Sequence, residues 1–199
     1  AQGQEFYHAR CVRRVLLKGA DCSRRREYSL HIAEALLTWY VFRVGGKDVM
    51  LTVLEIPGIE GKLPFEVHDG VDTCVSRQIL DHGIWEPYET SLVVKNLTRD
   101  GVFLDIGANI GYYTLIASIL AGDKGKVIAY EPDEDNFALL QRNLELNGCR
   151  NVMAFCGALS DREGAGKIYL DEDNRGDHRI YDTGDRRRTR DIRIMDAST

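Results

Sequence analysis

The sequence predicts an α/β fold built on a parallel sheet, and three observations carry that expectation. Val102–Ile106 is an almost wholly apolar run, as expected of a strand covered on both faces. Two further apolar runs, 126–130 and 151–156, follow it at intervals of about 25 residues. Between the three runs lie two segments with apolar residues at helical spacing, so each connection suits a right-handed βαβ crossover and the whole reads as a doubly wound sheet.

Upstream, residues 39–54 place WYVFRV and VMLTVL on either side of Gly45-Gly46, the pattern of a β-hairpin. Gly58, Gly61 and Pro64 then interrupt the pattern. Residues 71–80 read as a helix ending near Gly83, and 86–97 as another with Leu92, Val93 and Leu97 on one face. After the first parallel strand, Leu115, Ile116, Ile119 and Leu120 form a helical stripe closed by Gly122. Asp133 is placed to cap the next helix, whose Phe137, Leu140 and Leu144 share a face and which Gly148 ends. The texture divides the chain into an N-terminal region, 1–82, and a second unit, 83–199. Residues 1–26 are polar and Arg-rich, with at most a short helix.

Composition narrows the function classes. The 199 residues are 44% hydrophobic and carry 26 basic against 31 acidic side chains, a net charge of −5. That balance argues against a nucleic-acid partner, and the clusters Arg24–Arg26 and Arg186–Arg188 read as solvated loops rather than phosphate contacts. Five cysteines without a CxxC pair suggest neither a zinc ribbon nor a disulfide framework, and no metal site is expected. The most apolar stretch, 33–44, is short of a membrane span and contains Glu34 and Arg43. Val15-Leu16-Leu17, boxed in by Arg13, Arg14 and Lys18, makes no signal-peptide core, so a cytoplasmic location is the default expectation.

The chemistry concentrates at the carboxyl ends of the parallel strands, where ligands of open α/β sheets bind. Asp105-Ile106-Gly107-Ala108-Asn109-Ile110-Gly111 offers a turn nearly free of side chains, approachable by a flat or charged ligand. Its G-x-x-x-G spacing departs from the G-x-G-x-x-G cradle of nicotinamide enzymes. Glu131, 26 residues beyond Asp105 and just before Pro132, stands where a carboxylate accepts both ribose hydroxyls, though it reads alternatively as a helix N-terminal acid. Asp105 is the natural partner of a cationic amine on the same ligand. Together they suit an amino acid joined to a nucleoside.

The motifs DIGANIGYY (105–113), YEPD (130–133), NLELNG (143–148) and GALSD (157–161), with GIWEP (83–87) upstream, resemble the FkbM-type branch of class I S-adenosylmethionine-dependent methyltransferases. The resemblance covers about residues 71–170. It implies a Rossmann-like sheet and S-adenosyl-L-methionine as cofactor, with Asp105, Gly107, Ala108, Asn109 and Gly111 lining its methionine and ribose portion. Glu131 would bind the ribose diol, Pro132 beside it would belong to the cofactor site, and Ala158 and Leu159 would wall the adenine. Glu86 and Thr90 would close the pocket, although Glu86 reads equally as a helix cap. The implied activity is O-methylation of a small metabolite or sugar, and no catalytic residue is assigned. Two alternatives stay open: a cofactor-binding or partner-binding fragment without turnover, and an RNA methyltransferase. Members of the family continue with a fourth strand ending in an acidic motif, which this sequence lacks, so the unit reads as incomplete. The first strand should then keep an apolar edge that a second copy of the chain could cover.

Overall fold

A computed structural model describes residues 40–44, 47–68, 72–171, 173–182, 184 and 186–198. The Arg-rich segment 1–26, His8, His31, Cys11, Cys22 and the Gly45-Gly46 turn lie outside the described residues.

The expected hairpin is present as β1 (Tyr40–Val44) paired antiparallel with β2 (Lys47–Leu54). A third strand, β3 (Leu63–His68), joins β2 where the sequence suggests only broken pattern. Pro64 explains the difference: β3 is the outer strand of this sheet, and an edge tolerates the missing backbone N–H. Helix α1 (Val75–His82) starts later than its periodicity suggests, because the Asp72 carboxylate accepts the Ser76 and Cys74 amides and defines the N-terminus there. It ends on left-handed Gly83. In α2 (Pro87–Asn96) the apolar face is rotated from expectation: Val93 and Val94 pack inward while Leu92 is exposed.

The parallel sheet forms as predicted, from β4 (Val102–Ile106), β5 (Lys126–Glu131) and β6 (Val152–Cys156) in sequential order. Helix α3 (Tyr112–Ala121) links the first pair and α4 (Glu134–Leu146) the second. Asp133 caps α4 as expected, accepting the amides of Asp135 and Asn136. A last, separate sheet holds β7 (Ala158–Ser160), β8 (Gly164–Leu170) and β9 (Arg188–Asp196) in the order β7-β9-β8.

One expectation fails. The β4 run is not covered on both sides, since Val102, Leu104 and Ile106 are 67%, 51% and 60% exposed. Strands added successively to one side by right-handed crossovers place their helices on one face. That face holds Asp105, Val127 and Ala129, all buried. The opposite face, where the register aligns Leu104, Ile128 and Met153 and then Ile106, Tyr130 and Phe155, carries no helix among the described residues. The sheet is therefore wound on a single face here. No helix among the described residues is long and apolar enough to cross a membrane.

One apolar cluster joins the N-terminal sheet to the helices that cover the parallel sheet. Leu54, Phe65 and Val67 from the N-terminal sheet and Ile79 from α1 pack with Ile110, Leu115, Ile116 and Leu139. Phe65 meets Tyr112 edge to face, with centroids 6.3 Å apart. Because this cluster is shared, truncating Phe65 to Ala is expected to cost about 3–5 kcal/mol. Guanidinium denaturation followed by fluorescence and by circular dichroism should show one coincident transition at lower midpoint. A residual transition at the wild-type midpoint would show that the sheets unfold separately.

Candidate functional site

The site grows out of the turn between β4 and α3. Gly107 and Ala108 both donate their amides to the Tyr130 carbonyl, which bends the chain across the end of β5. Three residues then take left-handed backbone: Gly107 (φ +78°), Asn109 (φ +50°) and Gly111 (φ +87°). Asn is the non-glycine residue best suited to that region, and here its side-chain oxygen accepts the Ile110 amide. A Cβ at Gly107 would meet no atom of the described residues within 4 Å, so the space above it is open among them. Gly111 has a different reason to be glycine, because a Cβ there would lie 3.1 Å from the Leu140 side chain of α4. Its left-handed backbone and this packing account for it without a ligand.

Glu131 ends β5 beneath this turn and is 4% exposed. One carboxylate oxygen accepts the Asn109 amide at 2.7 Å and the other the Asp133 amide at 2.8 Å. Burial raises its pKa to about 7, against the opposing pull of those two amides. Asp105 lies on the same face of the neighbouring strand, opposite Ala129 and one pleat back from Glu131. Its carboxylate accepts the Thr114 hydroxyl at 2.5 Å, and burial lifts its pKa above the usual carboxylate range. Two carboxylates thus share one sheet face, each held by a donor from the turn or helix above. In both cases burial outweighs the hydrogen bonds that favour ionisation.

The remaining expected residues sit at differing distances from this centre. Glu86 takes left-handed backbone (φ +41°) ahead of α2 and accepts the Tyr113 hydroxyl at 3.0 Å, so it borders the start of α3. Thr90 is 1% exposed, and its hydroxyl is engaged with the Trp85 carbonyl and Tyr112. Ala108 is buried against Leu140 and Leu144. Pro132 is half-buried between Glu131 and the α4 cap. Ala158 packs with Ile168 and Ile192, and Leu159 is half-buried beside it. The Gly157 amide donates to the Glu131 carbonyl, which ties this segment to the end of β5.

Sequence reading misses a strap over the turn. The Arg175 carbonyl accepts from the side chains of Asn109 and Asn136, at 3.3 and 3.4 Å. The Asp173 carbonyl takes both the amide and the hydroxyl of Thr73. Arg190 of β9 secures the same end of the sheet through Asp133 at 2.7 Å and Asp135 at 3.3 Å. His68 is also drawn in, its ring bonded to Asn136 and its pKa lowered to about 4 by burial and by Arg175. None of these residues carries a local motif, because each is brought in by contacts between distant segments.

Residues 105–197, just under half of the chain, match the family described as the Methyltransferase FkbM domain. The likeness to that family is carried by this segment of the chain. A curated relative from Sulfurisphaera tokodaii, named "Probable cobalt-precorrin-6B C(15)-methyltransferase (decarboxylating)", is 40% identical over 55 residues, covering 28% of this chain and 29% of the relative. Among solved structures, a SAM dependent methyltransferase from Aquifex aeolicus is 28% identical over 34% of this chain and 36% of its own, with a TM-score of 0.31. TYW2 of P. horikoshii in complex with MeSAdo is 17% identical over 67% of this chain and 46% of its own, at a TM-score of 0.39. Each of these matches spans less than half of the relative's length. The FkbM match begins at Asp105 and takes in the glycine turn, Glu131 and β7–β9.

The raised pKa of Glu131 gives this part of the chain a stability signature. Folded Glu131 holds its proton up to about pH 7, whereas unfolded it releases it near the ordinary 4.5. The folded state is therefore favoured by protonation, and this residue's contribution is full below pH 4.5 and lost as pH rises through 7. Chemical denaturation at pH 5 and pH 8 should show a loss across that window that Glu131→Gln removes. An equal pH slope in the variant would refute the assignment.

Proposed function

We infer that this chain binds S-adenosylmethionine and transfers its methyl group to an oxygen of a small metabolite or sugar. The observation that carries the reading is the buried Glu131 carboxylate at the end of β5, beside a left-handed turn whose Gly107 faces open space. The membership of residues 105–197 in a methyltransferase family supports it.

The residues present fit this ligand. The two Glu131 oxygens, each held by a backbone amide at the strand end, would accept the two hydroxyls of a ribose diol. The Asp105 carboxylate, held by Thr114, would pair with a ligand ammonium, whose charge would keep it ionised. Gly107, Ala108 and Asn109 present backbone over the gap, and Pro132, Ala158 and Leu159 would wall the base. Glu86, held by the Tyr113 hydroxyl, would close the pocket from the start of α2, with Thr90 bonded to the adjacent Tyr112. When bound, S-adenosylmethionine supplies a sulfonium methyl open to in-line attack. The protein's contribution is alignment and exclusion of water, with the strap at 173–176 placed above the turn.

Calorimetry with S-adenosylhomocysteine tests the reading. Wild type should bind, and Glu131→Ala should lose at least the worth of two charge-assisted hydrogen bonds, roughly a hundredfold in affinity. Unchanged affinity in the variant would sink the ribose assignment. Because ribose hydroxyls bond to the ionised carboxylate, affinity should fall as pH drops below about 7. Binding without turnover over a panel of hydroxylated acceptors would mark the chain as a cofactor-binding module.

A further inference from the structure

We propose that Asn143 is a positioning residue for the cofactor turn, which it holds in register with β3 of the N-terminal sheet. This inference rests on the cofactor reading above and extends it to a residue outside the site.

Asn143 lies in the last turn of α4 and is completely buried. A polar amide in a core is costly unless its donors and acceptor are met. Here they are met by partners from two distant segments. Its side-chain oxygen accepts the Glu66 amide at 2.7 Å, and its amide group donates to the Glu66 carbonyl at 2.9 Å and to the Ile110 carbonyl at 2.8 Å. Bonding both backbone groups of one residue fixes the β3 backbone as a neighbouring strand would. The third bond fixes the peptide between Ile110 and Gly111, inside the left-handed turn.

Ile110 is one residue from Asn109, whose amide reaches Glu131. A path of hydrogen bonds joined by the short backbone of Asn109 and Ile110 therefore runs from β3 through Asn143 to the turn and on to the carboxylate assigned to the ribose. Helix packing alone does not require this arrangement, because a leucine would fill the same place between α4 and the core. What the amide adds is direction: it fixes where the Ile110 carbonyl points, and the two-residue stretch of turn backbone carries that constraint back toward the Asn109 amide. Arg142, the preceding residue, makes a two-pronged ion pair with the nearly buried Glu66 side chain, so β3 is gripped on both its backbone and its side chain.

Asn147, the C-cap of the same helix, supplies a comparison. It donates to the Pro64 carbonyl of β3 at 2.9 Å, and its recorded bonds do not reach the turn. Asn143→Ala and Asn147→Ala each remove side-chain bonds between α4 and β3, but only the first releases the turn.

The experiment measures S-adenosylhomocysteine affinity across pH 5.5–8.5 for wild type and both variants, at temperatures where circular dichroism shows each folded. Asn143→Ala should bind roughly tenfold more weakly, the equivalent of one well-placed hydrogen bond. Its pH midpoint should move up, because freeing the Asn109 amide removes a donor that favours ionised Glu131. The groups facing Glu131, namely Asp133 at the α4 terminus and Cys156 of β6, with Arg190 of β9 behind them, are the same in all three proteins. Asn147→Ala should keep both the wild-type affinity and the wild-type midpoint. Equal losses in the two variants, or an unmoved midpoint in Asn143→Ala, would overturn the proposal.

Hydrogen exchange on wild type provides a second test that does not depend on either variant folding. S-adenosylhomocysteine should slow exchange of the Glu66 amide, and unchanged protection there would refute the coupling. Failure of wild type to bind at any pH would instead remove the cofactor reading, and this proposal with it.

Discussion

A carboxylate buried at the end of a strand, with both oxygens committed to backbone amides, is the constraint on which the site depends. Glu131 cannot keep its burial unless the chain after β4 turns back to offer the Asn109 amide and the chain after β5 offers that of Asp133. The first demand draws Asn109 into left-handed backbone, and the second places Asp133 where its own side chain caps α4. One acidic residue thereby fixes the turn, the start of a helix and the spacing between two strand ends. Its raised pKa reports the same balance, since the two amides recover only part of what burial costs.

The N-terminal sheet is fused to this framework by polar groups as much as by apolar packing. Phe65 and Val67 supply the area, but the register of β3 against α4 is set by Asn143 on the Glu66 backbone, Arg142 on its carboxylate and Asn147 on Pro64. Apolar contact is non-directional and tolerates sliding, whereas a buried amide with three partners does not. The strap at 173–176 is joined more lightly, through the two long bonds to the Arg175 carbonyl and the bonds from Thr73. Segments held by few bonds are those most able to move when a ligand enters.

The two faces of the parallel sheet contrast sharply. One is closed by α3 and α4 over Val127 and Ala129, both fully buried, and the other exposes Val102, Leu104, Ile106 and Met153. Tyr130 and Phe155 stack on that open face with ring centroids 5.2 Å apart, which shields some of each from water. An apolar strand such as β4 can be read from its composition, but composition does not say whether both faces are covered. Coverage depends on which side the crossovers fall.

By itself, the sequence determined what short-range physics controls. The parallel strands follow from apolar runs, the α4 start from Asp133, the helix ends from Gly83 and Gly122, and the glycine turn with its two carboxylates from residue type and order. Each of these is a local preference of backbone or side chain, legible within a few residues. The tertiary structure decided what depends on distant partners. β3 is a strand because β2 offers it an edge despite Pro64, Gly111 is glycine because Leu140 presses on it, and Thr90 turns its hydroxyl toward Tyr112. Asn143 became informative only when Glu66, 77 residues away, and Ile110, 33 residues away, were seen on its amide. Burial and hydrogen-bond partnership are properties of the folded chain, and no spacing in the sequence encodes them.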